Sequence, residues 1–298
     1  MKKIITSLLL FVATSPVMAE VNIFACEPEW AALSQELGGD KVTVFSATNG
    51  LQDPHYIQAR PSLIAKARRA DLLVCTGAEL EVGWLPLLQR KSSNSAIQAG
   101  SPGYFMASNY VRLSDMPTSL DRSQGHVHAA GNPHIQTSPL NIMQIAKALS
   151  QRLQELDSDN ADFYQQRGDD FTQRWQAAIT KWQQQAAPLK DAAIVVQHDS
   201  WRYLFDWLGL KKVAVLEEKP GVPPSVDYLN RILTQLKTTP ANIVIHAAYQ
   251  STRASDWLVK KSSITSVSLP FTVGGNKQSQ DLFGLFDDTI KRLLKANK

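Results

Sequence analysis

The sequence predicts an α/β protein of two lobes, each a parallel β-sheet flanked by helices, joined by one long rigid backbone helix. Three observations carry this. Short apolar runs rich in Val and Ile alternate with helical patterns early in the chain, and the same alternation returns in its last third. Between them, Asp157 to Ala187 keeps Tyr164, Phe171, Trp175, Ala178, Ile179 and Trp182 on one helical face, with Gln, Arg, Asp and Lys filling the others. At 298 residues the chain is long enough for two separate cores.

The elements follow in order. Lys2 and Lys3, an apolar run from Ile4 to Val12 and the small-residue site Val17-Met18-Ala19 read as a secretory signal over 1–19. Its apolar core is too short to cross ~30 Å of hydrocarbon as a helix, so the mature chain is expected in the periplasm without a membrane span. No Cys stands at the cleavage point to take a lipid. The first lobe (20–138) holds strands at VNIFAC (21–26), KVTVFSA (41–47) and DLLVCTG (71–77), with a fourth expected at NYVRLS (109–114). Helices are expected over Glu29–Leu37 and Arg60–Arg69. Met116 to Pro133 has no apolar period and is expected to be a mobile surface loop. Connecting helices (139–188) begin at Ser138-Pro139, with Ser as N-cap and Pro in the first turn. The brace follows; Gly168 inside it costs about 1 kcal/mol relative to Ala, and Pro188 ends it. The second lobe (189–298) repeats the pattern with AAIVVQH (192–198), KVAVLE (212–217), NIVIHAA (242–248) and TSVSLPF (265–271), interleaved with helices. Two sheets whose carboxyl ends face each other across a brace make a cleft, where ligands of open parallel sheets bind.

Composition narrows the classes. Hydrophobic residues at 44% and charged residues at 19% are ordinary globular values. Of 31 basic residues Lys2 and Lys3 belong to the signal, leaving 29 against 27 acidic ones, a net charge of +2. No Lys/Arg cluster is interleaved with aromatics, so nucleic-acid binding is not expected. Cys26 and Cys75, an even pair in an exported chain, predict a disulfide if their apolar runs are neighbouring strands; the close spacing of a thiolate metal site is lacking.

The chemistry concentrates in histidine. His55 follows the second strand in Asp53-Pro54-His55, His134 closes Gly131-Asn132-Pro133-His134, and His198 ends AAIVVQH. Neutral imidazole is the usual nitrogen ligand of zinc, and a preceding Pro stiffens the turns that present His55 and His134. Each His alone is most often a solvated or hydrogen-bonded side chain; three at strand ends or rigid turns point to one cleft.

DPHYIQARPSLIAKARRADLLVCTGAELEVGW, GNPHIQTSPLNIMQIAKALSQRL and QHDSWRYLFDWLGL together resemble, in order, the three ligand motifs of the zinc- and manganese-binding proteins of bacterial ABC importers. The resemblance covers essentially the whole mature chain. It implies a periplasmic solute-binding protein with His55, His134 and His198 as metal ligands, and a monomer is expected. Zn2+ would be its transported cargo, Mn2+ less so, and an ABC importer membrane permease its partner. The chain departs from the family in the loop after the last strand, SLPFTVGGNK, which has no Asp or Glu where many members supply a fourth ligand. Water, His246, Glu79 and Glu218 stay open for that place. Imidazoles without a carboxylate favour zinc over manganese.

Other readings compete. A three-His zinc site with an open position is also catalytic, yet H-E-x-x-H, H-x-x-E-H and G-x-S-x-G are all missing, so no enzyme is expected. A haem or metal chelate would need a wide cleft with Arg or Tyr. His126 and His128 could form a weak outer capture site or be incidental. Glu27, Glu29, Glu79 and Glu81 invite an acid/base reading and the Trp residues a sugar platform; helix-start acids and core aromatics explain both more simply.

Overall fold

Parallel pairing of four short strands on each side of a helical centre is the arrangement found. The computed structural model describes residues 20–117 and 128–297, so the predicted signal and His126 lie outside the described residues. β1 (Val21–Ala25), α1 (Pro28–Gly38), β2 (Val42–Ser46), α2 (Pro61–Arg68), β3 (Leu72–Cys75), α3 (Leu85–Ser92) and β4 (Tyr104–Met106) build the first lobe. Its sheet runs β2-β1-β3-β4, all parallel. After α4 (Pro139–Leu156) and α5 (Ala161–Ala186) come β5 (Ala193–Val196), α6 (Arg202–Leu208), β6 (Lys211–Val215), α7 (Val226–Thr238), β7 (Ile243–Ala247), α8 (Arg253–Lys261), β8 (Thr265–Leu269) and α9 (Leu282–Ala296). The second sheet runs β6-β5-β7-β8, the same order strand for strand.

Two elements differ from expectation. The fourth strand is Tyr104–Met106, where Phe105 and Met106 are buried and pair with β3; NYVRLS instead begins in a 3-10 turn and is half-buried, with Tyr110, Val111 and Leu113 against the core. Helix α3 carries no long apolar period, and Pro86 in its first turn is its clearest start signal. Ser138 stands at the N-cap of α4 without a side-chain cap bond.

The brace is real and its packing explains its glycine. Tyr164, Gly168, Phe171, Trp175, Ile179 and Trp182 are the buried side of α5. A Cβ on Gly168 would stand 2.4 Å from Ser150 Oγ, so glycine is what lets α4 and α5 lie this close. Trp175 stacks on Phe171 (5.2 Å between centroids) and meets Phe283 and Phe286 of α9 at 4.8 and 5.6 Å. Its Nε1 donates to Pro139 O at 2.8 Å. On the other side, Arg167 Nε donates to Glu36 O of α1 at 2.8 Å. One apolar cluster therefore runs from β1 and α1 through α4 and α5 to β5, β7 and α9. Cys26 and Cys75, at the ends of the neighbouring strands β1 and β3, are joined by a disulfide with their Cα atoms 4.8 Å apart.

Trp175 is fully buried and its ring spans three helices, so Trp175→Ala should cost about 3–5 kcal/mol in denaturant unfolding of the metal-free protein.

Candidate metal centre

The sequence places three histidines at chain turns, and the fold brings those turns together. His55 sits in the loop after β2, whose Pro54 O accepts from Trp84 Nε1 at 3.0 Å. One oxygen, Asp53 Oδ1, takes both the backbone N–H of His55 (3.0 Å) and its ring Nδ1 (2.7 Å). Burial pushes the Asp53 carboxyl up, but the bond from His55 and its charge win and hold it below its ordinary value. His198 follows β5, where Gln197 N–H still donates to Ile245 O and extends the sheet by one residue. Its Nδ1 lies 2.7 Å from Glu217 Oε2, which also accepts from Gly221 N at 2.7 Å. A carboxylate only accepts, so Nδ1 is the donor in both pairs and each neutral ring keeps its lone pair on Nε2.

His134 is held differently. Asn132 Oδ1 accepts its backbone N–H at 3.1 Å, and Asn132 is bonded to both lobes. Asn132 N donates to Ser114 O at 2.7 Å, Asn132 Nδ2 donates to Asp199 O at 3.1 Å, and Tyr203 Oη donates to Asn132 O at 2.6 Å. Gly131 before it has φ +115°, and a Cβ there would meet Ser114 O at 2.7 Å, so this turn requires glycine. The His134 ring is buried edge-on against Phe271 (5.4 Å), and its Nδ1 has no hydrogen-bond partner among the described residues. Burial first, then the neighbouring His55, His198 and His128, hold its pKa well below the ordinary imidazole value.

The three rings converge. Centroids of His55 and His134 lie 5.5 Å apart, His134 and His198 5.8 Å, and His55 and His198 6.3 Å. A fourth imidazole joins them. His128, read from sequence as a solvated or outer-site residue, has its Nε2 3.3 Å from His55 Nε2. Ligand atoms of His55, His128 and His134 all fall within 4.8 Å of one another. The segment is pinned there by Ala129 N donating to Glu79 Oε2 at 2.6 Å. This also answers where the expected fourth donors stand. Glu79 holds the loop, Glu218 pairs with Arg231 at 2.7 Å, and His246 has its Nδ1 3.4 Å from Ser266 Oγ within the β7–β8 pair. None of these three belongs to the close histidine group. The signal that could have found His128 is its spacing: GHVHAAGNPH puts it only six residues before His134.

His198 lines two cavities. One of about 420 Å³ is bounded by Asp53, His55, Tyr56, Glu217 and Tyr249; another of about 170 Å³ is bounded by His128, Asn132 and His134. The histidines thus form the partition between them. A family model described as "Zinc-uptake complex component A periplasmic" matches residues 23–296. The chain belongs to that family. Relatives of this chain include the high-affinity zinc uptake system protein ZnuA of Bacillus subtilis, 24% identical over 83% of this chain and 76% of the relative. The manganese ABC transporter substrate-binding lipoprotein PsaA of Streptococcus pneumoniae is 23% identical over 84% and 79%. A crystal structure of a ZnuA superposes with a TM-score of 0.76 at 22% identity, covering 94% of this chain and all of that one. These relatives are named as metal-binding proteins of ABC transporters and not as enzymes, and the family is described as periplasmic. Among the described residues no helix is long and apolar enough to cross a membrane.

The acids near the strand ends are structural in placement. Glu27, Glu29 and Glu81 are buried; Glu81 accepts from Thr76 N (2.7 Å) and Gly77 N (3.0 Å), and Thr272 from the loop after β8 donates to Glu29 across the lobes. Burial raises all three, Glu29 and Glu81 to about 7. A carboxyl raised in the folded state contributes stability that is complete below its unfolded pKa and is lost as pH rises through the folded one. Stability of wild type minus that of Glu29→Gln should therefore fall by about 2–3 kcal/mol between pH 4.5 and 7, read from unfolding curves of the metal-free proteins.

Proposed function

We propose that this chain is a periplasmic zinc-binding protein that takes the ion into the cleft through His55, His134 and His198 and delivers it, as a monomer, to the membrane permease of an ABC importer. Its carrying observation is the convergence of imidazoles from the loop after β2, the Gly131–His134 turn and the end of β5, with no carboxylate inside the group among the described residues. Zn–N bonds of about 2.0–2.1 Å in a tetrahedron put neighbouring nitrogens about 3.4 Å apart, close to the 3.3 Å between His55 and His128. His128 then takes the fourth place that the last loop leaves without an acid. Four nitrogens suit zinc, whereas manganese prefers oxygen donors, which argues for zinc even though relatives are named for either metal.

The low pKa of His134 keeps its lone pair available under mildly acid conditions where a free imidazole is protonated. Zinc affinity should still fall as pH drops through the range near 6.5, because every donor must be deprotonated.

Zinc titration of the metal-stripped mature protein by calorimetry tests this reading. One tight site is expected, weakened by roughly 100-fold or more in each of His55→Ala, His134→Ala and His198→Ala, with manganese binding far more weakly. Wild-type affinity in all three variants would remove the assignment. With Co2+ in place of zinc, His128→Ala should change the visible absorption bands of a tetrahedral site; an unchanged spectrum would return the fourth place to water.

A further inference from the structure

We propose that Asp53 and Glu217 are the positioning residues of this site: from opposite lobes they fix two facing imidazoles with Nε2 toward the cargo ion, and together supply the two negative charges that balance it. This rests on the zinc-binding reading and goes beyond it, since neither residue is a ligand.

The geometry is doubled. Asp53 Oδ1 binds the ring of His55 and its backbone N–H; Glu217 Oε2 binds the ring of His198 and the N–H of Gly221. Asp53 lies beyond β2 and Glu217 beyond β6, the corresponding outer strands of the two sheets. Neither carboxylate pairs with a lysine or arginine among the described residues; their ionic partners there are the two imidazoles. Among the described residues no lysine or arginine therefore neutralises their charge.

The charge argument follows from what the cleft lacks. A dication among neutral imidazoles in a shielded site needs anions close by, and the loop after β8 brings none. Two carboxylates one hydrogen bond behind the ligands meet that need while leaving only nitrogen at the metal. His134 is the internal contrast, since among the described residues no carboxylate binds its ring and its Nδ1 has no hydrogen-bond partner. Glu217 is the more shielded of the two, its side chain 12% exposed against 32% for Asp53, so its charge counts for more.

The test separates charge from orientation. Asp53→Asn and Glu217→Gln remove charge and keep an acceptor; Asp53→Ala and Glu217→Leu remove both. Zinc affinity should fall about 10–100-fold in the amide variants, more for Glu217→Gln than for Asp53→Asn, and further in Asp53→Ala and Glu217→Leu. In the metal-free protein, proton–nitrogen NMR correlations of the imidazole rings should show His55 and His198 as the Nδ1–H tautomer in wild type. Glu217→Leu should turn His198 into a mixture and leave His134 unchanged, with the unfolding midpoint of the apo protein preserved. Amide variants that bind zinc like wild type, or a His198 tautomer that survives Glu217→Leu, would overturn the inference. If the zinc-binding reading itself is wrong, wild type binds zinc weakly, and the charge balance falls with it.

Discussion

Everything in this molecule hangs on the apolar face of α5. Its aromatic residues pack against α4 and α9, while its polar flank reaches α1, so the two sheets share one continuous core across the centre of the chain. Separating the lobes fully would expose Trp175 and Trp182, a loss of several kcal/mol of apolar burial, and the lobes are thereby held to small relative movements. That restraint keeps the short loops that carry the histidines facing one another across the cleft.

The cleft itself follows from repetition. Because both sheets have the order outer strand, first strand, third, fourth, the loops that leave corresponding strands fall at corresponding places along each edge. The first lobe uses the loop after its outer strand for His55 and Asp53. The second uses the end of its first strand for His198 and the loop after its outer strand for Glu217. One architecture has been furnished twice: the carboxylate follows the outer strand in both lobes, while the imidazole moves from the outer strand in the first lobe to the first strand in the second.

Much of this was legible in the residues. Val/Ile runs bounded by Gly and Pro mark seven of the eight strands, and a seven-residue aromatic spacing marks the brace, because both depend on local burial periods. β4 was misplaced because a three-residue strand buried by its neighbours has no period to read. His55, His134 and His198 stand out in the sequence by lying at strand ends and turns, and the fold brings their rings together. His128 did not, because only the fold shows that Glu79, far away in sequence, anchors the end of its loop against the site. Asp53 is adjacent to His55, yet nothing local says that its oxygen takes the ring; Glu217 is 19 residues from His198 and becomes its partner only through parallel pairing of β5 and β6.

The turn that carries His134 is bonded to Ser114 on one side and to Asp199 and Tyr203 on the other. It therefore ties the two lobes together beside the His134 ring, and any rotation of one lobe on the other has to strain or break these hydrogen bonds.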